Sequence, residues 1–107
     1  MKAKPVKLVE GEGYVECEKD EATHLTIKFP SPAGLVTLPV ITSGTRKGTP
    51  CWTWNGDTEK PTLRPSVKTT NHNGLCCHSW VNDGKAEFLS DCSHNLVNKT
   101  VAMLDVS

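Results

Sequence analysis

The sequence predicts an all-β fold, a small antiparallel sandwich or partly open barrel, and three observations carry that prediction. Short runs that alternate apolar and polar residues recur at close intervals, with Gly, Pro, Asn and Asp between them. Eight Gly and seven Pro in 107 residues, with 36% apolar residues, suit a turn-rich β protein better than a helical bundle. Finally, Asn82-Asp83-Gly84 sits between two apolar-rich runs, a strong signal for a tight hairpin. The length fits a single domain over residues 1–107, with a modest core that would gain from a staple.

The elements follow in order. Residues 5–9 read as a short strand, then Glu10-Gly11-Glu12-Gly13 as a turn. Residues 14–17 alternate, with Val15 and Cys17 on one face, and the charged run 18–21 is a solvated loop. Residues 24–29 form a strand with Leu25, Ile27 and Phe29 facing one way. After a Pro- and Gly-bearing turn, residues 35–41 form another, with Val36, Leu38 and Val40 on the core face. Pro39 there predicts an edge position or a bulge. Residues 42–50 are a polar loop, and 51–54 a short strand with Trp52 and Trp54 on one face. Pro61 and Pro65 keep residues 61–69 extended and non-helical. A turn at 71–74 leads into the hairpin, and one helical turn at 95–99 precedes a last strand at 100–105.

Charge excludes some partners. Twelve basic and twelve acidic residues balance, and no basic tract extends beyond Lys2, Lys4 and Lys7. Nucleic acid and anionic membranes are therefore not expected partners. No stretch resembles a signal peptide or a membrane span, and five cysteines is an odd number. Reduced thiols in a cytoplasm are the expectation.

The hairpin concentrates chemistry at its open end. Cys76, Cys77 and His78 lie on one side and Cys92 and His94 on the other, so thiols and imidazoles converge as a zinc ion requires. Adjacent strand residues face opposite ways, so regular geometry pairs Cys76 with His78, whereas Cys77 with His78 needs a bulged or ending strand. Four protein ligands would make a structural site. Three would leave a water to activate, with Asp91 or Asp57 as base. Neither a His-Glu-x-x-His helix nor a deaminase motif is present. Trp52 and Trp54, with Asn55 and Asp57, are candidates for partner binding, although paired tryptophans more often fill a core. A Ser/His/Asp set can be composed from Ser66, Ser79 or Ser93, but none lies on a Gly-x-Ser-x-Gly turn.

Four blocks in fixed order carry a resemblance: Trp52-Thr53-Trp54-Asn55-Gly56-Asp57, Pro61-Thr62-Leu63-Arg64-Pro65-Ser66, Cys77-His78-Ser79-Trp80 with Asp83-Gly84, and Asp91-Cys92-Ser93-His94. Over roughly residues 50–105 the chain resembles a family of small phage and prophage proteins of unknown function, sometimes labelled "ammonia monooxygenase". The donor set is too poor in histidine and carboxylate for a copper or iron oxygenase. The resemblance implies Cys77, His78, Cys92 and His94 as the ligands, with Cys76 outside the set. The resulting expectation is a zinc-stabilised β domain of a phage, working in the host cytoplasm by binding a host or phage protein, with counter-defence as one form of that role. The alternatives are a zinc-dependent hydrolase and, third, a single-stranded nucleic-acid binder stacking bases on Trp52 and Trp54.

Overall fold

The computed structural model describes residues 1–31, 33–41, 51–70, 76–92 and 96–106. They form ten strands: β1 (Ala3–Val9), β2 (Gly13–Glu16), β3 (His24–Lys28), β4 (Leu35–Ile41), β5 (Trp52–Trp54), β6 (Leu63–Arg64), β7 (Val67–Thr70), β8 (Cys76–Asn82), β9 (Lys85–Phe88) and β10 (Thr100–Ala102). A six-stranded sheet runs β2-β1-β3-β4-β5-β6 and a four-stranded sheet runs β10-β9-β8-β7. All pairings are antiparallel except β4 with β5. The all-β expectation holds in its sandwich form; the sheets do not close into a barrel.

Alternation explains which faces are buried. Leu25, Ile27 and Phe29 point inward from β3 and its end, and Leu38 and Val40 from β4. From the second sheet Val67, Cys77, Val81, Ala86 and Phe88 meet them, with Trp54, Leu63 and Met103 completing the core. The rings of Phe29 and Phe88 lie 6.5 Å apart across the two sheets. Burial of this apolar surface is what holds the layers together.

Pro39 sits inside the larger sheet rather than at its edge. β3 pairs with β4 through His24↔Pro39, but β5 reaches only Val40 and Ile41, so no neighbour on that side needs the missing N–H. The expected extended segment over 61–69 is likewise two strands. The chain leaves the first sheet after Arg64 and enters the second at Val67, with a cis Arg64–Pro65 peptide and Ser66 at the crossing. The turn at 96–98 is closed by the Lys99 N–H on the Leu96 carbonyl. The loop at 42–50 and the turn at 71–74 fall outside the described residues.

The hairpin forms as its turn chemistry dictates. Asn82 pairs with Lys85, and Asp83 and Gly84 take positive φ of 51° and 78°, the left-handed pair of a two-residue type I′ turn. That register sets Ser79 against Phe88, which brings His78 level with the exit of β9.

Candidate active site

Every second residue of β8 faces outward: Cys77, Ser79 and Val81 are buried, whereas Cys76, His78, Trp80 and Asn82 are part-exposed. On the other side β7 sets Lys68 against His78 and Val67 against Ser79. Continuing that register places Ser66 diagonal to His78 on the same outer face, a separation side chains readily span. The Ser66 hydroxyl lies 2.8 Å from His78 Nε2. The other ring nitrogen, Nδ1, lies 3.0 and 2.9 Å from the two carboxylate oxygens of Asp91. Serine, imidazole and carboxylate thus form one continuous relay.

Each member is fixed by its surroundings. The Ser66 carbonyl accepts the indole N–H of Trp52 at 3.3 Å. The Leu89 N–H donates to the His78 carbonyl at 2.9 Å, and the Cys92 N–H closes a turn on the Leu89 carbonyl at 3.2 Å. Asp91 rides on that turn. The hydrogen bond from His78, with the ring's charge and that of Lys68 adding to it, holds the Asp91 carboxyl below the ordinary carboxylate range. Lys68 Nζ stands 4.0 Å from Asp91 Oδ2. The side chain of Asp91 is 48% exposed and that of His78 23%, so the relay lies open on the surface.

Beside the relay, Arg64 lays its guanidinium over Trp80, 5.2 Å from the ring centroid. It also donates to the carbonyls of Leu63 and Val81 and to Asn82 Oδ1. An aromatic and cationic wall therefore flanks Ser66.

The residues expected to bind zinc do not converge on one point among the described residues. Both ring nitrogens of His78 are engaged, by Ser66 and by Asp91. Cys77 points into the core, where burial pushes its thiol up and Ser31 Oγ lies 3.3 Å away. The Cys92 thiol touches the backbone of His78, not its ring. Cys76 is part-exposed, and His94 lies outside the described residues. Among the described residues no group of three or more His, Cys, Asp or Glu side chains is arranged to hold a metal.

The residues expected at a partner surface lie on and just after β5. Trp54 is 1% exposed and donates its indole N–H to the Asp57 carbonyl, so it is a core residue; Trp52 is half-buried against the same core. Asn55 Oδ1 accepts the N–H groups of Asp57 and Thr62, and its amide donates to the Lys60 carbonyl. Asp57 Oδ1 accepts the N–H groups of Lys60 and Glu59, which hold its carboxyl below the ordinary range. Asn55 and Asp57 thus brace their own loop. Of the three serines, Ser66 joins the relay, Ser79 is fully buried, and Ser93 lies outside the described residues.

Sequence reasoning named all three relay members but did not join them. The signal was available: the Asn-Asp-Gly turn fixes the register, which places Asp91 two residues past the partner of His78.

No curated protein and no solved structure matches this chain. Residues 2–89, most of the chain and including Ser66 and His78, match the family described as "Bacterial ubiquitination-like system serine protease (BubE)". This overturns the expected zinc-stabilised phage accessory binder and points instead to a protease-related role. Nothing supports the phage naming or the monooxygenase label. By this match the chain belongs to the BubE family of bacterial ubiquitination-like system serine proteases.

Proposed function

We propose that the chain is a serine protease that cleaves an amide bond in a protein substrate of a bacterial ubiquitination-like system. The observation that carries this reading is the continuous relay Ser66–His78–Asp91. Ser66 Oγ attacks the scissile carbonyl while His78 Nε2 takes its proton. His78 then gives that proton to the departing amine, leaving an ester on Ser66. In the second half water attacks the ester, with His78 again as base. Asp91 holds the Nδ1–H tautomer and stabilises the imidazolium as it forms.

Exposure supports a macromolecular substrate. With Asp91 about half exposed, a folded partner has access to a nucleophile on an open sheet face. A protein partner, expected from the sequence, is retained in this form: the partner is the substrate. Among the described residues no helix is long and apolar enough to cross a membrane.

The test is active-site labelling. A fluorophosphonate should modify purified protein once, at Ser66, and the Ser66→Ala variant should stay unmodified. Absence of labelling in folded wild-type protein at near-neutral pH would overturn the proposal.

A further inference from the structure

Cys92 stands where a backbone carbonyl should. The β8–β9 ladder, extended past Ser79↔Phe88, pairs His78 with Leu89. Half of that pair is made, since the Leu89 N–H donates to the His78 carbonyl at 2.9 Å. The other half is missing, because the Leu89 carbonyl accepts the Cys92 N–H instead and so turns the chain through Ser90 and Asp91. The His78 N–H would be left over. It donates to Cys92 Sγ at 3.2 Å, and the thiol in turn donates to the His78 carbonyl at 3.0 Å. One side chain therefore closes the ladder that its own turn has opened.

We infer that Cys92 is a positioning residue of the relay: its thiol clamps the backbone of His78 to the turn that carries Asp91, and so sets the imidazole against both Asp91 and Ser66. This rests on the serine protease reading above. A thiol suits the place because a single small group both accepts from N–H and donates to C=O. A serine hydroxyl keeps both capacities with a shorter reach, whereas valine fills the space and keeps neither. The carboxylate is one residue from the clamp, so loosening the turn displaces Asp91 and the ring together. Displacements near 1 Å at a reacting group cost about 10²-fold in rate.

The experiment compares wild type, Cys92→Ser and Cys92→Val as full chains. Three readouts are the fluorophosphonate inactivation constants at Ser66, the proton resonance of His78 Nδ1–H, and thermal melting. Cys92→Val should lower the chemical constant about 10²-fold with probe affinity unchanged. Its Nδ1 proton should move upfield as the contact with Asp91 loosens, while Cys92→Ser restores most of the rate and the resonance. A folded Cys92→Val protein with wild-type labelling and an unmoved resonance overturns the inference. Should Cys92→Val not fold, Cys92→Ser decides: near-wild-type labelling supports the clamp, and loss of labelling in folded Cys92→Ser overturns it. Wild-type protein that never labels defeats the protease reading alone, because the resonance comparison still tests the clamp.

Discussion

Trp52 donates its indole N–H to the carbonyl of Ser66, tying the crossing between the sheets to a strand of the larger one. Ser66 is thus held from the first sheet while His78 comes from the second. Trp52→Phe keeps the ring that packs on the core and removes only that donor. A loss of about 1 kcal/mol in stability is expected, with a fall in kcat larger than any change in KM. Chemical denaturation and steady-state kinetics on one preparation check both.

Ser66→Ala removes the proposed nucleophilic hydroxyl from a half-buried position. Turnover should fall by roughly 10⁴- to 10⁶-fold, with melting temperature little changed. Kinetics alongside a thermal melt distinguish this from unfolding.

Asp91→Asn presents an amide to Nδ1 and favours the wrong tautomer. The expected fall in kcat is roughly 10²- to 10⁴-fold, toward the lower end because the carboxylate is half exposed. The pH dependence of stability follows from its depressed pKa. A carboxyl with a lower pKa folded than unfolded stabilises the fold above its unfolded value of about 3.9, and loses that effect as pH falls through the folded value. The gap in melting temperature between wild type and Asp91→Asn should be full at neutral pH and close below about pH 4.

Ser79 is fully buried, and its hydroxyl has no hydrogen-bond partner among the described residues. Ser79→Ala should raise stability by about 1 kcal/mol, since a desolvated and unpaired hydroxyl is removed. Activity should be unchanged, because Ser79 faces away from the relay. Denaturant midpoints check the first point and fluorophosphonate labelling the second.

Gly84 carries φ of 78°, and a Cβ there would lie 3.2 Å from the Glu59 carbonyl oxygen and from Lys60 Cα. Its N–H also donates to the Pro61 carbonyl, and its own carbonyl accepts from Met103. Gly84→Ala should cost about 1–3 kcal/mol, combining a strained conformation with a backbone clash. The relay lies at the other end of the hairpin, so labelling per folded molecule should survive. Calorimetry and labelling together decide.

The sequence made the fold legible where local rules suffice. Leu25, Ile27 and Phe29 showed the buried face of β3 by alternation, and Asn82-Asp83-Gly84 fixed both turn and register. Ser66 was not singled out because its neighbourhood depends on β7 pairing with β8, a tertiary register without a local signature. The same residues carry two readings for a chemical reason. A thiol and an imidazole brought together look alike as metal donors and as hydrogen-bonding groups. Only the aim of the Cys92 thiol, at the His78 backbone and away from the ring, separates the two.

Ser66, His78 and Asp91 fall within 26 consecutive residues, on or beside three successive strands of one meander. Closing so short a stretch costs little chain entropy, and contacts of low sequence separation form early in folding. The reactive groups can therefore meet as soon as β7, β8 and β9 pair. β1–β4 contribute no member of the relay, so substitutions on their outer surface leave Ser66, His78 and Asp91 in place.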